Sequence, residues 1–501
     1  MLNFRKATLA DANLYFNWAN DLSVREQSFN SNAINFENHQ KWFEFKLEDD
    51  SCLMLLFQNE KKQNIGQIRI QKENDQEALI GISIASEHRR KGFAKGMLQI
   101  ASDYFLENNP NYLINAYIKE ENLSSKFSFE KAGFEFQNII NYENFKSFHY
   151  IKKRQKMEID RFEINKGSNV FIIAELSANH NGSIDTAIET IRAAKRAGAD
   201  CIKLQTYTAD TITIDCDKDD FLIKGTIWEG KNLHKLYQEA YTPWEWHEEL
   251  FRVAKEEGLV CFSSPFDKTA VDFLESLNVP AYKIASFEIT DIPLIEYVAS
   301  KGKPIILSTG IAEQADIELA LEACKRMGNH EIALLKCTSS YPAPINEANM
   351  CMVKDLADRY GVISGLSDHT MGVTVPVVAT CFGAKIIEKH FILDRSIGGP
   401  DASFSMNEEE FTAMVKAVRE AESAIGIVDY TLTEKQAKGK DFSRSLYVVE
   451  DIKAGDVITE ENVRSIRPGF GLHPKYLKDI LGKKITVNLE KGTRFELEFC
   501  K

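Results

Sequence analysis

Two histidines in the second half of the chain each stand where an apolar run stops: His369 in Gly365-Leu366-Ser367-Asp368-His369-Thr370 and His390 in Glu388-Lys389-His390-Phe391. One βα unit separates them, which would place them at the ends of neighbouring parallel strands about 4.8 Å apart. Side chains at equivalent strand ends can close on one small object, and for two imidazoles a divalent cation is the natural one. Histidines that are merely hydrogen-bonded are the plain alternative. Strand side chains alternate with period two, so Ser367 shares a face with His369, and Glu388 with His390. Hydroxyl and carboxylate groups would thus stand beside any cation bound there.

Elements able to position such a pair recur along the chain. Short apolar runs at 170–175, 201–206, 259–264, 281–286, 304–309, 332–338, 362–368 and 385–390 alternate with helical patterns such as 183–197, which Gly198 terminates. Eight successive βα units predict a closed parallel (β/α)8 TIM barrel. An open doubly wound sheet would show fewer units, or one glycine-rich turn dominating after its first strand. Barrel sites gather at the carboxyl ends of strands, and here those ends are polar. They carry Glu175 with Asn179 and His180; Lys203 and Gln205; Ser263 and Ser264; Lys283, Ser286 and Glu288; Ser308 and Thr309; Thr338 to Tyr341; then the histidine runs. Lys203 and Lys283 among hydroxyls suit a phosphate or carboxylate, with structural salt bridges as the alternative. Together with the histidines they suggest a cation polarising one reactant while a small anion is held beside it.

At 501 residues, with 44% hydrophobic content, the chain has the bulk of a multidomain α/β protein. A net charge of -13 argues against a general nucleic-acid surface, and the basic run at 152–156 is read as a linker. The nine cysteines lack CxxC spacing and suit a reducing, cytoplasmic setting. The N-terminal residues lead into mixed polar sequence, and no apolar run reaches about 18 residues, so neither secretion nor membrane insertion is expected.

The barrel residues resemble the sialic acid synthase family over about residues 160–501. The resemblance is carried by Ile173-Ala174-Glu175-Leu176-Ser177-Ala178-Asn179-His180-Asn181-Gly182-Ser183, Lys203-Leu204-Gln205-Thr206, Pro280-Ala281-Tyr282-Lys283-Ile284-Ala285-Ser286, Ile306-Leu307-Ser308-Thr309-Gly310, both histidine motifs and Gly399-Pro400-Asp401. Within the family, Gly225-Thr226-Ile227-Trp228-Glu229-Gly230 and Tyr241-Thr242-Pro243-Trp244-Glu245-Trp246-His247 are similar to pseudaminic acid synthases rather than to N-acetylneuraminate synthases. This implies condensation of phosphoenolpyruvate with an open-chain amino-deoxy sugar, here 2,4-diacetamido-2,4,6-trideoxy-L-altrose, to a nine-carbon 2-keto acid and phosphate. N-acetylneuraminate or legionaminate synthesis is the alternative.

By the same resemblance, His369 and His390 would bind a divalent metal, manganese first and magnesium or cobalt after it. Glu175, Lys203, Lys283 and Glu388 would be catalytic, with Glu175 the first candidate to accept a proton from the attacking water. Gln205, Ser286, Glu288, Ser308, Ser339, Tyr341, Ser367 and Asp401 would bind the two substrates. Ser339 stands where N-acetylneuraminate synthases commonly carry Asn, a departure that leaves the sugar contact there open.

Beyond residue 430 a polar, lysine-rich stretch at 431–442 precedes a small β-rich region, 443–501, that resembles the SAF domain. Its motifs include Ile452-Lys453-Ala454-Gly455-Asp456-Val457-Ile458 and Arg464-Ser465-Ile466-Arg467-Pro468-Gly469. In the family, the arginine matching Arg467 reaches the sugar in a partner subunit, which implies a domain-swapped homodimer; a plain loop arginine is the alternative.

Residues 1–150 are foreign to that family. A strand at 78–85 and a helix at 92–106 flank Arg89, Arg90, Lys91, Gly92, Phe93 and Ala94, a turn that aims N–H groups and a helix N-terminus at a pyrophosphate. With Asn122 and Phe129-Glu130-Lys131-Ala132-Gly133-Phe134, this resembles the GNAT acetyltransferase fold, which implies acetyl-CoA as cosubstrate. The runs Trp18-Ala19-Asn20-Asp21, Val24-Arg25, Ser28-Phe29-Asn30-Ser31 and His39-Gln40-Lys41-Trp42-Phe43 are similar to GNAT domains of nonulosonate pathways, whose acceptor is the 4-amino group of a UDP-linked amino-deoxy sugar. Phe129 stands where many members carry a proton-donating tyrosine, and phenylalanine cannot donate. Either another donor or water replaces it, or the module binds coenzyme A or a nucleotide sugar without catalysis. Glu77 and His39 are conceivable bases, though a solvated glutamate and an ordinary helix histidine describe them better. The expected organisation is 1–150 GNAT-like, 151–160 linker, 161–430 barrel, 431–442 linker and 443–501 SAF.

Overall fold

The computed structural model describes residues 2–225 and 228–501 and divides into two compact units, Met1–Ile425 and Gly426–Lys501. Thr226 and Ile227 of the insert named above lie outside the described residues.

The first unit begins with a seven-stranded sheet made of β1 (Asn3–Lys6), β2 (Cys52–Gln58), β3 (Asn64–Lys72), β4 (Glu77–Ile84), β5 (Leu113–Lys119), β6 (Glu135–Tyr142) and β7 (Phe145–Lys153), in the order β1-β2-β3-β4-β5-β7-β6. Every neighbouring pair is antiparallel except β4 and β5, which run parallel. A helix crosses between them, Phe93–Asn108, capped by Gly92 at φ 80°. Its apolar face packs Met97, Leu98, Ala101 and Phe105 on Ala78, Ile80, Ile114 and Ala116 of the sheet. The alternate residues of those strands face the other way.

No loose linker follows. The basic run at 152–156 is divided between the end of β7 and the start of a hairpin, β8 (Lys156–Ile159) and β9 (Phe162–Asn165). That hairpin inserts Met157, Ile159 and Ile164 among Phe171, Phe262, Ile306 and Leu335, the apolar floor of the next element.

That element is a closed barrel of parallel strands: β10 (Phe171–Glu175), β11 (Cys201–Thr206), β12 (Val260–Pro265), β13 (Tyr282–Ile284), β14 (Ile305–Ser308), β15 (Ile332–Cys337), β16 (Ile363–Asp368) and β17 (Ile386–His390). Period two orders its interior: inward positions pass from apolar at the strand start to polar near its end, as in Ile173 and Glu175, Cys201 and Lys203, or Ile386 and Glu388. Outward residues such as Ile172, Ile202 and Leu307 pack under the surrounding helices. The strand expected at 281–286 holds only over Tyr282–Ile284. Ser286–Glu288 curls into a 3-10 turn, so Ser286 and Glu288 leave the strand alternation.

The C-terminal unit pairs β18 (Ser445–Val448) antiparallel with β19 (Val463–Ile466), and isolated bridges such as Ile452 to Leu489 supply the rest of its β character. Leu446, Val448, Ile458, Val463 and Phe495 form its core, and Arg467 is exposed.

Candidate active site

The barrel mouth gathers buried charge. Lys203 Nζ stands 2.5 Å from Glu175 Oε2 and 3.8 Å from Glu388 Oε1, and Lys283 Nζ is 3.6 Å from the same Glu388 oxygen. All four side chains are at most 5% exposed. Ser367 donates to Glu388 at 3.1 Å, and Lys203 to Ser264 at 3.3 Å. Isolated ions of this kind would be very costly to bury, and their mutual pairing makes them tolerable.

The cluster splits two like groups. Burial raises Glu175 to about 7, with Glu388 adding to the rise and Lys203 opposing it. Burial pushes Glu388 the same way, but Lys203 and Lys283 outweigh it and leave that carboxyl below the usual range. Lys203 is held above its ordinary value because Glu175 and Glu388 overcome burial, whereas burial wins at Lys283 and lowers it. A carboxyl poised near neutrality beside one that stays ionised is the arrangement proton transfer requires.

The two histidine rings lie next to this cluster, centroids 5.2 Å apart. His369 Nδ1 donates to the Thr338 carbonyl at 3.0 Å, so Nε2 holds the lone pair of the neutral ring; burial opposes a second proton there, and Cys337, the Thr338 carbonyl and Asp368 outweigh it and raise the pKa. His390 Nδ1 is buried without a hydrogen-bond partner, 3.7 Å from Asp401 Oδ2. Burial and the positive neighbours lower His390 well below its usual value, so it is neutral. An unprotonated, unpartnered imidazole beside a second one with a free lone pair fits a divalent cation. Among the described residues no group of three or more His, Cys, Asp or Glu could hold one, so only these two protein ligands are offered.

Further partners line the rim. Ser339 donates to Ser286 at 2.8 Å, and this pair presses on Gly310, where an added Cβ would lie 2.1 Å from Ser339 Oγ and 2.4 Å from Ser286 Oγ. Tyr341 packs on His369 with centroids 4.5 Å apart. Ser308 Oγ, Glu288 Oε2 and Glu388 Oε2 are buried without hydrogen-bond partners, and burial raises Glu288 to about 7. Polar atoms are rarely orphaned in a folded interior unless a ligand or water completes them.

In the N-terminal sheet, Arg90 adopts φ 61° ahead of Gly92, and Arg90, Lys91 and Gly92 are exposed. Arg89 is turned inward, bonded to the Ile84 carbonyl and paired with Asp21 at 2.9 Å. The Asn122 side chain caps the helix Leu123–Lys131 by accepting from Ser125 N–H at 3.1 Å. Phe129 is 2% exposed, with Phe134 edge-on to its ring.

Comparison with known proteins agrees with this architecture. Pseudaminic acid synthase of Campylobacter jejuni subsp. jejuni is 49% identical over 336 residues, covering 67% of this chain and 97% of that relative. The NeuB family model matches residues 190–430. This chain belongs to the NeuB family. Acetyltransferase (GNAT) domain and SAF domain models match residues 1–135 and 443–494. Pseudaminic acid synthase of Helicobacter pylori is 48% identical over 323 residues, 64% of this chain and 95% of the relative. The crystal structure of an N-acetylneuraminic acid synthetase from Leptospira borgpetersenii, in complex with citrate, shares 28% identity and a TM-score of 0.51 over 57% of this chain and 95% of that one. GNAT, NeuB and SAF modules thus follow one another in one polypeptide.

For this NeuB-family chain the structure brings Glu175, Lys203, Gln205, Lys283, Ser367, Glu388, His369, His390 and Asp401 together at one mouth. His180, named among the polar strand ends, turns away. Its Nδ1 accepts from Gly182 N–H at 3.1 Å, its Nε2 meets the Thr242 hydroxyl at 3.3 Å, and burial lowers it to about 4. Ser177, which carried no role in the sequence, joins the cluster. At φ 47° it accepts from Gln205 at 2.9 Å and donates to Asp401 at 2.5 Å, while Gln205 also donates to Glu175 at 2.9 Å. Its position two residues beyond Glu175 was the available signal, but a left-handed turn cannot be inferred from period two. Cys337 is the other addition, its Sγ 3.9 Å from His369 Nδ1.

Proposed function

We propose that this chain couples two activities: condensation of phosphoenolpyruvate with 2,4-diacetamido-2,4,6-trideoxy-L-altrose to pseudaminic acid and phosphate in the barrel, and acetyl transfer from acetyl-CoA to a UDP-linked 4-amino sugar in the N-terminal domain. The reading assigns 1–150 to acetyl transfer, 161–430 to condensation and 443–501 to the SAF domain. The observation that carries it is the convergence of Lys203, Lys283, Glu175 and Glu388 beside the paired imidazoles, in a chain 49% identical to a pseudaminic acid synthase.

In this mechanism Lys203 and Lys283 hold the carboxylate and phosphate of phosphoenolpyruvate, with Ser286, Ser308 and Ser367 donating to its oxygens. Gln205, Glu288, Ser339, Tyr341 and Asp401 orient the sugar. A divalent cation, manganese by preference, held by His369 and His390, would supply Lewis acidity toward the sugar aldehyde. The enol carbon attacks that aldehyde, and positive charge develops at the carbon bearing phosphate. Glu388, kept ionised by two lysines, stabilises that charge. Glu175, poised near neutrality, takes the proton of the water that adds there, the former aldehyde oxygen takes a proton from solvent to become a hydroxyl, and the hemiketal loses its hydroxyl proton to the departing phosphate as the carbon–oxygen bond breaks and the ketone forms. Arg467 of one protomer would contact the sugar bound in its partner, which makes the proposed assembly a domain-swapped dimer. Among the described residues no helix is long and apolar enough to cross a membrane.

Purified full-length protein with manganese, phosphoenolpyruvate and each candidate sugar should release phosphate with the L-altrose derivative. Release with N-acetylmannosamine alone would overturn the substrate assignment. The buried Phe129 and the inward Arg89 favour a second reading of the N-terminal domain, as a non-catalytic coenzyme A or nucleotide-sugar sensor. Acetylation of the UDP-linked 4-amino sugar would dismiss it.

A further inference from the structure

Strands β4 and β5 pair only at Glu77–Leu79 against Leu113–Asn115, although both run on, to Ile84 and Lys119. Their facing edges beyond that point carry peptide groups with no ladder partner among the described residues. Such groups need partners, and the extended amide-bearing arm of coenzyme A can supply them as an added strand would. The wedge therefore fixes where a thioester would lie. Asn115 is its last paired residue.

One face of the sheet has room beside this wedge, at Gly81. The register puts Gln67 opposite Ser83 and Tyr117 opposite His149, all on the side away from the helix Phe93–Asn108. A Cβ added at Gly81 would meet nothing within 4 Å. Ser83 Oγ and Gln67 Oε1, on the same face, are buried without hydrogen-bond partners where Leu56, opposite Gln67, packs with Tyr15, Trp18 and Phe43. The clear space over Gly81 is room for a polar acceptor.

His149 lies on the same face across β5, in a fixed state. Its Nε2 lies 2.8 Å from Asn115 Oδ1, and since an amide oxygen can only accept, Nε2 carries the hydrogen and Nδ1 the lone pair. The ring stacks on Tyr117 at 4.8 Å and 24°, and Tyr117 on Tyr142 at 3.9 Å and 14°. Burial holds the imidazole below its ordinary value against the weaker pull of Glu77, so it is neutral at pH 7. Glu77 on β4, Tyr117 on β5 and, behind Tyr117, Tyr142 on β6 with Glu143, Glu73 and Arg69 are the titratable and charged groups facing this stack. The two residues conceivable as bases from sequence fit less well: Glu77 is exposed, and His39 is buried against Phe16, Trp42 and Phe43.

We propose that His149 is the general base of the N-terminal domain, its Nδ1 taking a proton from an acceptor ammonium seated on this face, with Asn115 as its positioning residue. The inference rests on the acetyltransferase reading above. The freed amine attacks the thioester carbonyl, a carbon–nitrogen bond forms, and the carbon–sulfur bond breaks. The second amine proton passes to water, the thiolate is protonated from water, and the imidazolium returns its proton to solvent.

The test uses the full-length chain with acetyl-CoA and a UDP-linked 4-amino-4,6-dideoxy sugar. His149→Gln should lower kcat for acetyl transfer by about 10²–10⁴-fold and abolish the acid limb of the pH profile. Acetyl-CoA affinity and phosphate release by the barrel should not change. Should H149Q fail to fold, Asn115→Asp serves instead: a carboxylate on Nε2 favours the imidazolium and must move the acid limb to higher pH, which a merely structural role would not do. An H149Q enzyme that keeps its rate and acid limb, or an N115D enzyme with an unmoved limb, overturns His149 alone. A wild-type chain that transfers no acetyl group overturns the acetyltransferase reading and this assignment with it.

Discussion

Lys283→Met separates two accounts of the lysine pair. Lys283 Nζ is 2% exposed and 3.6 Å from Glu388 Oε1, and burial depresses its pKa despite that partner. A cation that holds its proton less tightly when folded opposes folding at neutral pH, and stability returns as the pH rises from the folded pKa through the unfolded value near 10.5. Removing the charge while keeping an unbranched chain of similar volume should therefore leave stability at pH 7 unchanged or raised. Binding should suffer. An ammonium about 4 Å from an anionic oxygen contributes roughly 4 kcal/mol at an effective dielectric constant of about 20, or nearly three decades of affinity for phosphoenolpyruvate. Calorimetric titration with phosphoenolpyruvate and urea denaturation of the same sample give both numbers. If Lys283 is instead a structural partner of Glu388, breaking the pair should cost about 3–5 kcal/mol and leave affinity almost intact. That result would refute the reasoning.

Replacing His369 or His390 with alanine should abolish phosphate release and lower bound manganese, measured by elemental analysis, while acetyl transfer continues; retained metal-dependent condensation would reject the pair. Glu288, raised to about 7 from an ordinary 4.5, favours the folded state fully below pH 4.5 and loses that contribution as the pH climbs through 7. Glu288→Gln should thus remove roughly 3 kcal/mol of pH-dependent decline, read from urea transitions at pH 4 and pH 8. Gly310→Ala forces a methyl group against the Ser286–Ser339 pair and should raise KM for the barrel substrates at least tenfold, with about 1–3 kcal/mol of stability lost and acetyl transfer unchanged.

Much of this protein was legible in its residues. Short continuous apolar runs alternating with helical patterns gave the barrel strands, because parallel strands covered by helices are buried on both faces. Their carboxyl ends carried Glu175 and Lys203, side-chain alternation put Ser367 with His369 and Glu388 with His390, and the histidine pair on adjacent strand ends followed from one βα unit of separation. Gly92 and Gly198 marked helix boundaries through conformations that other residues adopt at a cost.

Tertiary structure decided what depends on distances between residues remote in sequence. Glu175 and Glu388 are chemically alike, and chiefly their unequal shares of Lys203 and Lys283 drive their proton affinities apart. His180 was one more polar residue at a strand end, and only the fold shows Thr242 and Gly182 occupying both its nitrogens, whereas His369 bonds the Thr338 carbonyl through Nδ1 alone. Ser177 enters the site through a left-handed turn that breaks the alternation, and Asn115 meets His149 only because β5 lies beside β7. A sequence specifies which groups exist and which face they take. Burial and pairing, set by contacts across the fold, decide which of them hold charge, protons or ligands.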